Sequence, residues 1–285
     1  MAEISAARVR ELRELTGAGM MDCKKALSEA NGDMDRAIEI LRERGVAKAS
    51  KRVGRAGSEG RVIAAVSPDG RTGALVELNC ETDFVAKTDD FNHVGGELAK
   101  AAFTHTPRSV DELLDLSVNG EKLRDKVTGA VAKLGEDLAV RRVSRLEAPA
   151  SGFITSYIHA GGKIGTLVAI EAPSPAKPEA KSLAHNVAMH VAATSPASLT
   201  REDLPKAAVD AERKILAAQA ANEGKPPQIV EKMIEGRLTK FFKEVVLLEQ
   251  GLVMDPDKTV GKAAQEAGAK VVGFRRFQLG EAAEE

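Results

Sequence analysis

Apolar residues recur every three or four positions over the first 45 residues and are interrupted by glycine stops, a pattern that predicts three short helices. Ser5 caps the first, whose apolar positions Val9, Leu12 and Leu15 run up to Gly17-Ala18-Gly19. The second runs from about Met21 to Ala30, with Cys23, Ala26, Leu27 and Ala30 on one face, and Asn31-Gly32 stops it. Asp33 caps the third, in which Ala37, Ile38 and Leu41 point inward before Gly45. Three helices of about ten residues enclose only a small core. Met20 and Met21 cannot both enter it. Either one is core and the other incidental, or the pair is a flexible apolar contact for a partner.

Beyond residue 60 the period shortens to two. Val62 to Val66 and Ala74 to Leu78 read as strands around a glycine turn, and Ile154 to Ile158 with Thr166 to Ile170 repeat the plan. Gly60, Gly70, Gly73, Leu75 and Val76 recur at a constant offset of 92 as Gly152, Gly162, Gly165, Leu167 and Val168. An alanine-rich helix follows each hairpin, near Phe91 to Phe103 and near Ser182 to Ala193, and Arg141-Arg142-Val143 begins the crossing from the first half to the second. The second half carries an insertion. Leu204 to Ala221 is helical, Asn222 to Pro227 is a turn, and a longer helix runs to about Gln250. In it Ile234, Leu238, Phe241, Val245 and Leu248 are spaced 4-3-4-3, a coiled-coil stripe that either faces its neighbouring helix or packs on a partner or a second copy of the chain. Lys270 to Gln278 closes the domain as a final strand. The expected fold class is α+β: a helical bundle over 1–46, a linker over 47–59, and core halves over 60–145 and 146–285, with the antiparallel helical hairpin inserted at about 204–250.

Composition narrows the function. The 285 residues carry 41 Lys and Arg against 42 Asp and Glu, a net charge of −1, and only 3% aromatics, with eight Phe, one Tyr and no Trp. Such a chain lacks the basic surface or stacking platforms of a nucleic-acid binder, so no direct nucleic-acid partner is expected. Charge is uneven locally: Arg42, Arg44, Lys48, Lys51, Arg52 and Arg55 stand against Glu43 alone, which reads as a solvated basic tether. Cys23 and Cys80 are too few for a disulfide framework and fit a reducing compartment. Glu3, Arg8, Arg10 and Glu11 interrupt any leader-like apolar run, and the longest uncharged stretch, Ser182 to Thr200, is too polar to span a bilayer. A soluble, cytoplasmic protein without a membrane partner is expected.

Signatures of bond-making chemistry are incomplete. Gly161-Gly162-Lys163 resembles the end of a phosphate loop, but Tyr157 and Ile164 stand where Gly and Ser or Thr are needed. Ser58 lacks the nucleophile-elbow glycine. His185 and His190 are five apart on one helix, not the four that would stack them for a metal, and read as packing or capping residues. No catalytic residue, metal site or cofactor is expected. One segment stands apart, Glu81-Thr82-Asp83-Phe84-Val85-Ala86-Lys87. Either Thr82 or Asp83 caps the following helix while Phe84 joins the core, or a strand-to-helix tip projects an acid and a ring towards a partner.

Thr16 to Leu27 is similar to the first signature of the bacterial elongation factor Ts family, the nucleotide exchange factors of elongation factor Tu. Asn79 to Ala86 resembles the second signature and Ala188 to Ala193 a third, and the similarity continues through Ile158 to Gly165, Val253-Met254 and Arg276-Phe277, so that it covers nearly the whole chain. The resemblance implies a ubiquitin-associated-like bundle that binds the partner's GTPase domain, with Leu12, Met20 and Met21 at its contact surface. It implies a duplicated core, and a coiled-coil module through which some members dimerise. It assigns Thr82, Asp83, Phe84 and Val85 to dislodging Mg²⁺ from the partner's nucleotide site, and it places His159, Val253 and Met254 near that partner, elongation factor Tu carrying GDP. Some members continue into a further C-terminal helix where this chain reads Gln278-Leu279-Gly280-Glu281 and runs to Glu285, which leaves any contact of that module open.

Overall fold

In the computed structural model, which describes residues 4–16, 18–50, 57–174, 177–221 and 227–281, helices α1 (Ala6–Thr16), α2 (Met20–Glu29) and α3 (Met34–Ser50) make an N-terminal bundle. The caps form as their residue types dictate: Ser5 Oγ accepts from the Arg8 N–H at 3.3 Å and Asp33 Oδ1 from the Arg36 N–H at 3.0 Å. Val9, Leu12, Cys23, Ala26, Leu27 and Ala37 fill the core. Leu15 does not join it but stands 65% exposed. A spacing of three falls about 60° short of a full turn, so two such steps from Val9 rotate Leu15 off the buried face. Gly17, part of the expected glycine turn, lies outside the described residues, as do 51–56 of the tether (Lys51, Arg52 and Arg55 among them) and 222–226 of the hairpin turn.

The first half opens with β1 (Glu59–Val66) and β2 (Thr72–Cys80), an antiparallel hairpin that sets Gly60 opposite Asn79 and Val66 opposite Gly73. Helices α4 (Asp83–Ala86), α5 (Asp89–His105) and α6 (Val110–Asp115) follow, then the two-residue strands β3 (Ser117–Val118) and β4 (Glu121–Lys122), and then α7 (Leu123–Leu134). Strand β5 (Ala139–Glu147) returns antiparallel beside β2. Arg141-Arg142-Val143 is therefore not a crossing but the middle of a third strand. A bulge at Arg141, between the pairs Glu77–Arg142 and Leu78–Val140, breaks the two-residue alternation that marks a strand. The tether reading also changes, because α3 continues through Gly45 to Ser50 and lies against α7. One glycine costs a helix only about 1 kcal/mol, which tertiary contact offsets.

The second half repeats the plan: β6 (Gly152–Ile158), β7 (Ile164–Glu171), α8 (Pro178–Thr194), the hairpin helices α9 (Lys206–Ala221) and α10 (Pro227–Val245), the short strands β8 (Gly251–Leu252) and β9 (Asp255–Thr259), α11 (Val260–Glu266), and β10 (Lys270–Gln278). Sheet order β6–β7–β10 matches β1–β2–β5, and the bulge recurs at Val272, between the partners of Ala169 and Ile170. The duplication thus includes the third strand, at an offset widened to 131 (Ala139 to Lys270, Glu147 to Gln278) by the inserted hairpin.

The two sheets pack face to face through Val62, Leu75 and Leu146 on one and Ile154, Leu167 and Phe277 on the other. Helices cover the outer faces, with Phe91, Leu98 and Val131 over the first sheet and Leu183, Val187, Val191 and Val260 over the second. This α+β architecture explains the repeated glycines. A Cβ on Gly73 would lie 2.8 Å from Ile154 Cγ2, and one on the equivalent Gly165 would lie 2.5 Å from Val62 Cγ1, so the sheets approach at these points. On Gly60 and Gly152 a Cβ would strike the carbonyl oxygens of Leu78 and Ile170, themselves 92 apart.

The inserted hairpin buries its own stripe. Leu204, Leu216, Leu238, Phe242 and Val246 pack between α9 and α10, while Leu248 joins the core of the second half. Ile234, Phe241 and Val245 of the predicted stripe pack against this cluster, half-buried beside the buried Phe242, and α10 stops at Val245, short of Gln250, where the chain tightens into a 3₁₀ turn at Leu247–Glu249. Ile215 and Ile229 are the large apolar side chains that the described hairpin leaves exposed. Among the described residues no helix is long and apolar enough to cross a membrane.

Candidate partner-binding site

The segment Glu81–Lys87 leaves the end of β2 and turns at once into the single-turn helix α4. Thr82 is its N-cap, with its hydroxyl accepting from the Val85 N–H at 3.5 Å. Val85 and Ala86 turn inward and are buried against the core of the first half. Phe84 points the other way and is 78% exposed, the highest value of any large apolar side chain described. Both halves of the sequence alternative are thus partly realised: Thr82 caps, but Val85, not Phe84, enters the core. Beside the ring, Asp83 accepts from Lys87 Nζ at 2.6 Å, and the ammonium also sits 5.9 Å from the Phe84 centroid. The hydrogen bond from Lys87 holds the Asp83 carboxyl below its ordinary range, so it stays charged. The tip presents one ring beside an exposed Asp83–Lys87 ion pair.

Beneath the tip the fixings are polar. Cys80 donates to the Thr82 carbonyl at 3.0 Å, and burial, reinforced by the nearby Glu136 charge, pushes its thiol up to about 11. It is a structural thiol rather than a nucleophile. Glu136 accepts from both the Thr82 N–H and hydroxyl, at 2.9 and 2.6 Å, and Glu81 accepts from the Asp137 N–H at 2.9 Å. The sequence reading did not single out Glu136; two acids directly after the helix-ending Gly135 were the available signal.

His159 lies at the same end of the molecule. Its loop runs over Gly161 and Gly162, both at positive φ (79° and 76°), to Lys163, which pairs with Glu59 at 3.5 Å. Glu59 stands opposite Cys80 in the β1–β2 register, and the Lys163 charge reaches Asp83, so loop and tip are neighbours. Tyr157 hydroxyl and His159 Nδ1 are 3.0 Å apart, and Tyr157 meets His185 of α8 edge-on at 5.9 Å. Residues two apart on a strand share a face, which brings Tyr157 under His159.

Val253 and Met254 form the turn between β8 and β9, and both are exposed, Met254 by 70%. The buried His190 holds this turn: its Nδ1 accepts from the Val253 N–H at 3.2 Å, which leaves Nε2–H to donate to Gln250 Oε1 at 2.9 Å. Burial lowers its pKa, in keeping with a neutral ring. His190, expected to be a packing or capping residue, is thus a packing residue that also carries the Val253–Met254 turn.

In the bundle, Met20 and Met21 open α2 and are both exposed, with Leu15 exposed nearby in sequence. Leu12, expected at the contact surface, is fully buried in the bundle core instead. Among the described residues no group of three His, Cys, Asp or Glu side chains is placed to hold a metal ion. The exposed apolar side chains gather at three places: the Phe84 tip beside the His159 loop, the Val253–Met254 turn, and the methionine pair.

The sequence model of the family described as Elongation factor TS matches residues 81–281. The chain is 48% identical over 285 residues to elongation factor Ts of Micrococcus luteus, covering 98% of this chain and 100% of that one. It is 45% identical to that of Thioalkalivibrio sulfidiphilus and 47% to that of Clostridium acetobutylicum, each over 99% of this chain and 94% of the relative.

Proposed function

The chain belongs to the elongation factor Ts family and is a translation elongation factor, and we propose that it binds elongation factor Tu carrying GDP and promotes exchange of GDP for GTP by opening the nucleotide site from its Mg²⁺ side. The observation that carries this reading is Phe84, an apolar ring left 78% exposed on a single helical turn whose other side chains are anchored. Mg²⁺ neutralises phosphate oxygens, so moving the groups that hold it weakens nucleotide binding without any covalent step. Phe84 would wedge between elements of the partner, and the charged Asp83 would compete for hydrogen bonds around the metal. Thr82 and Val85 act from behind, capping and anchoring the turn.

Magnitudes limit what the ring can do alone. A thousandfold faster release needs about 4 kcal/mol, whereas burying one phenylalanine supplies about 1.5–3 kcal/mol. The remainder would come from Met20 and Met21, His159, and Val253 with Met254 holding the partner in its opened form. Linkage makes the coupling reciprocal: nucleotide and exchange factor weaken each other's binding, so incoming GTP expels the factor. The setting is the cytoplasm, and the surface of this chain, with a net charge of −1, serves a protein rather than a nucleic acid. The test is release of labelled GDP from elongation factor Tu. Sub-stoichiometric amounts of this protein should accelerate release through many cycles. Release that stays at the spontaneous rate at every concentration rejects the assignment.

A further inference from the structure

Glu136 sits immediately after Gly135, whose left-handed backbone (φ 77°, ψ 10°) ends α7 and turns the chain towards β5. Its carboxylate takes two hydrogen bonds from a single residue across the fold, the Thr82 N–H on Oε2 at 2.9 Å and the Thr82 hydroxyl on Oε1 at 2.6 Å. The neighbouring pair answers in the opposite sense, Asp137 N–H donating to Glu81 Oε1 at 2.9 Å. Two consecutive residues of the α7–β5 corner thereby clasp two consecutive residues of the β2–α4 corner. The α7 side is itself tied to α5 by Lys126–Glu97 at 2.7 Å and Lys133–Asp90 at 2.8 Å.

A four-residue helix cannot sustain itself, because helix nucleation fixes several residues for one hydrogen bond. The internal cap of α4 is long, at 3.5 Å, and Val85 and Ala86 anchor only its inner side. The direction in which the turn leaves the sheet, and hence the direction in which Phe84 points, is set at Thr82. There the two bonds to Glu136 are short and charge-assisted. They also orient the Thr82 hydroxyl: its proton goes to Glu136, and a lone pair is left for the Val85 N–H. An exposed ring on a loose turn would have to be ordered at each encounter, at the expense of the docked state; a clasped one is already ordered. We infer that Glu136 is a positioning residue for nucleotide exchange, fixing Thr82 so that Phe84 meets the partner pre-aimed. This rests on the exchange reading above.

The test compares full-length Glu136→Ala, Glu136→Gln, Phe84→Ala and the Phe84→Ala/Glu136→Ala pair in labelled-GDP release from elongation factor Tu, as a function of factor concentration. Glu136→Ala should lower the maximal release rate about tenfold while shifting the half-saturating concentration by less than about twofold. Glu136→Gln, which retains one acceptor oxygen, should fall between. On the Phe84→Ala background the Glu136→Ala change should add nothing, because Glu136 acts through the ring. In the free proteins, amide exchange at Thr82 and Val85 should quicken in Glu136→Ala while the amides of β7 stay protected. Wild-type release by Glu136→Ala alongside slowed release by Phe84→Ala overturns the positioning role but leaves the exchange reading intact. An equal loss on both backgrounds also overturns it, as does unchanged protection at Thr82. Wild-type release by Phe84→Ala overturns the reading beneath it.

Discussion

Phe84 is one of only nine aromatic rings in 285 residues, and it is held almost wholly in solvent. Its neighbours in sequence divide the labour: Thr82 caps and is clasped, Asp83 keeps its charge, and Val85 anchors. The same economy holds at His190, where one neutral ring joins α8 to Gln250 and to the Val253–Met254 turn. Because burial depresses its pKa, the unfolded chain takes up a proton more readily than the folded one. Stability from His190 is therefore complete above the ordinary value of 6.5 and declines as the pH falls through it. The thermal midpoint should drop between about pH 7 and about pH 5, and His190→Gln should flatten that dependence while lowering the midpoint overall. Equal slopes for the two proteins would exclude His190 as the titrating group. Residue types made much of this legible, since caps, the helix-packing histidine and the Glu81–Lys87 segment follow from local chemistry. Which way Phe84 points was not, because its direction is decided by a neighbour distant in sequence, Glu136.

At the level of elements, the duplicated hairpins were readable because their glycines answer to a steric demand that recurs. Gly73 and Gly165 sit where one sheet meets the other, and Gly60 and Gly152 where a strand partner's carbonyl comes close. Gly96 in α5 and Gly129 in α7 face open space and carry no such demand. Substitution should separate the two classes. Gly165→Ala forces a methyl against Val62 and should cost about 1–3 kcal/mol in chemical denaturation, whereas Gly129→Ala should stabilise by about 0.5–1 kcal/mol. A neutral Gly165→Ala would mean that the sheets can part there without cost. Strand β5 was not legible, and its Arg141-Arg142-Val143 reads as a crossing, because the bulge at Arg141 disrupts the alternation that marks a strand. The hairpin stripe was legible: Ile234, Leu238, Phe241 and Val245 all line the seam, widened by the buried Phe242, and only Leu248 leaves it for the core of the second half.

Over the whole molecule the two halves act as one frame. Glu77, fully buried between the sheets, accepts from Arg142 Nε at 2.7 Å and from the Gly280 N–H at 3.0 Å, and Arg142 also donates to the Gln278 carbonyl at 2.8 Å and stacks 4.3 Å from the Phe277 ring. The last strand of the second half is thus tied to the last strand of the first by a paired buried charge, the arrangement in which such a charge is tolerated. The Phe84 tip of the first half and the His159 loop and Val253–Met254 turn of the second are carried on this joined frame, and in the exchange reading proposed above that arrangement lets binding favour the opened partner over the closed one. The sequence could announce two halves; that they stack face to face depends on contacts up to two hundred residues apart, which no local pattern records. The most direct test of the account is the maximal rate of GDP release from elongation factor Tu at saturating Phe84→Ala. The account predicts a fall of at least about tenfold, together with weaker binding to nucleotide-free elongation factor Tu, since about 1.5–3 kcal/mol of wedge burial is lost from the opened complex. Wild-type release by that variant would contradict it.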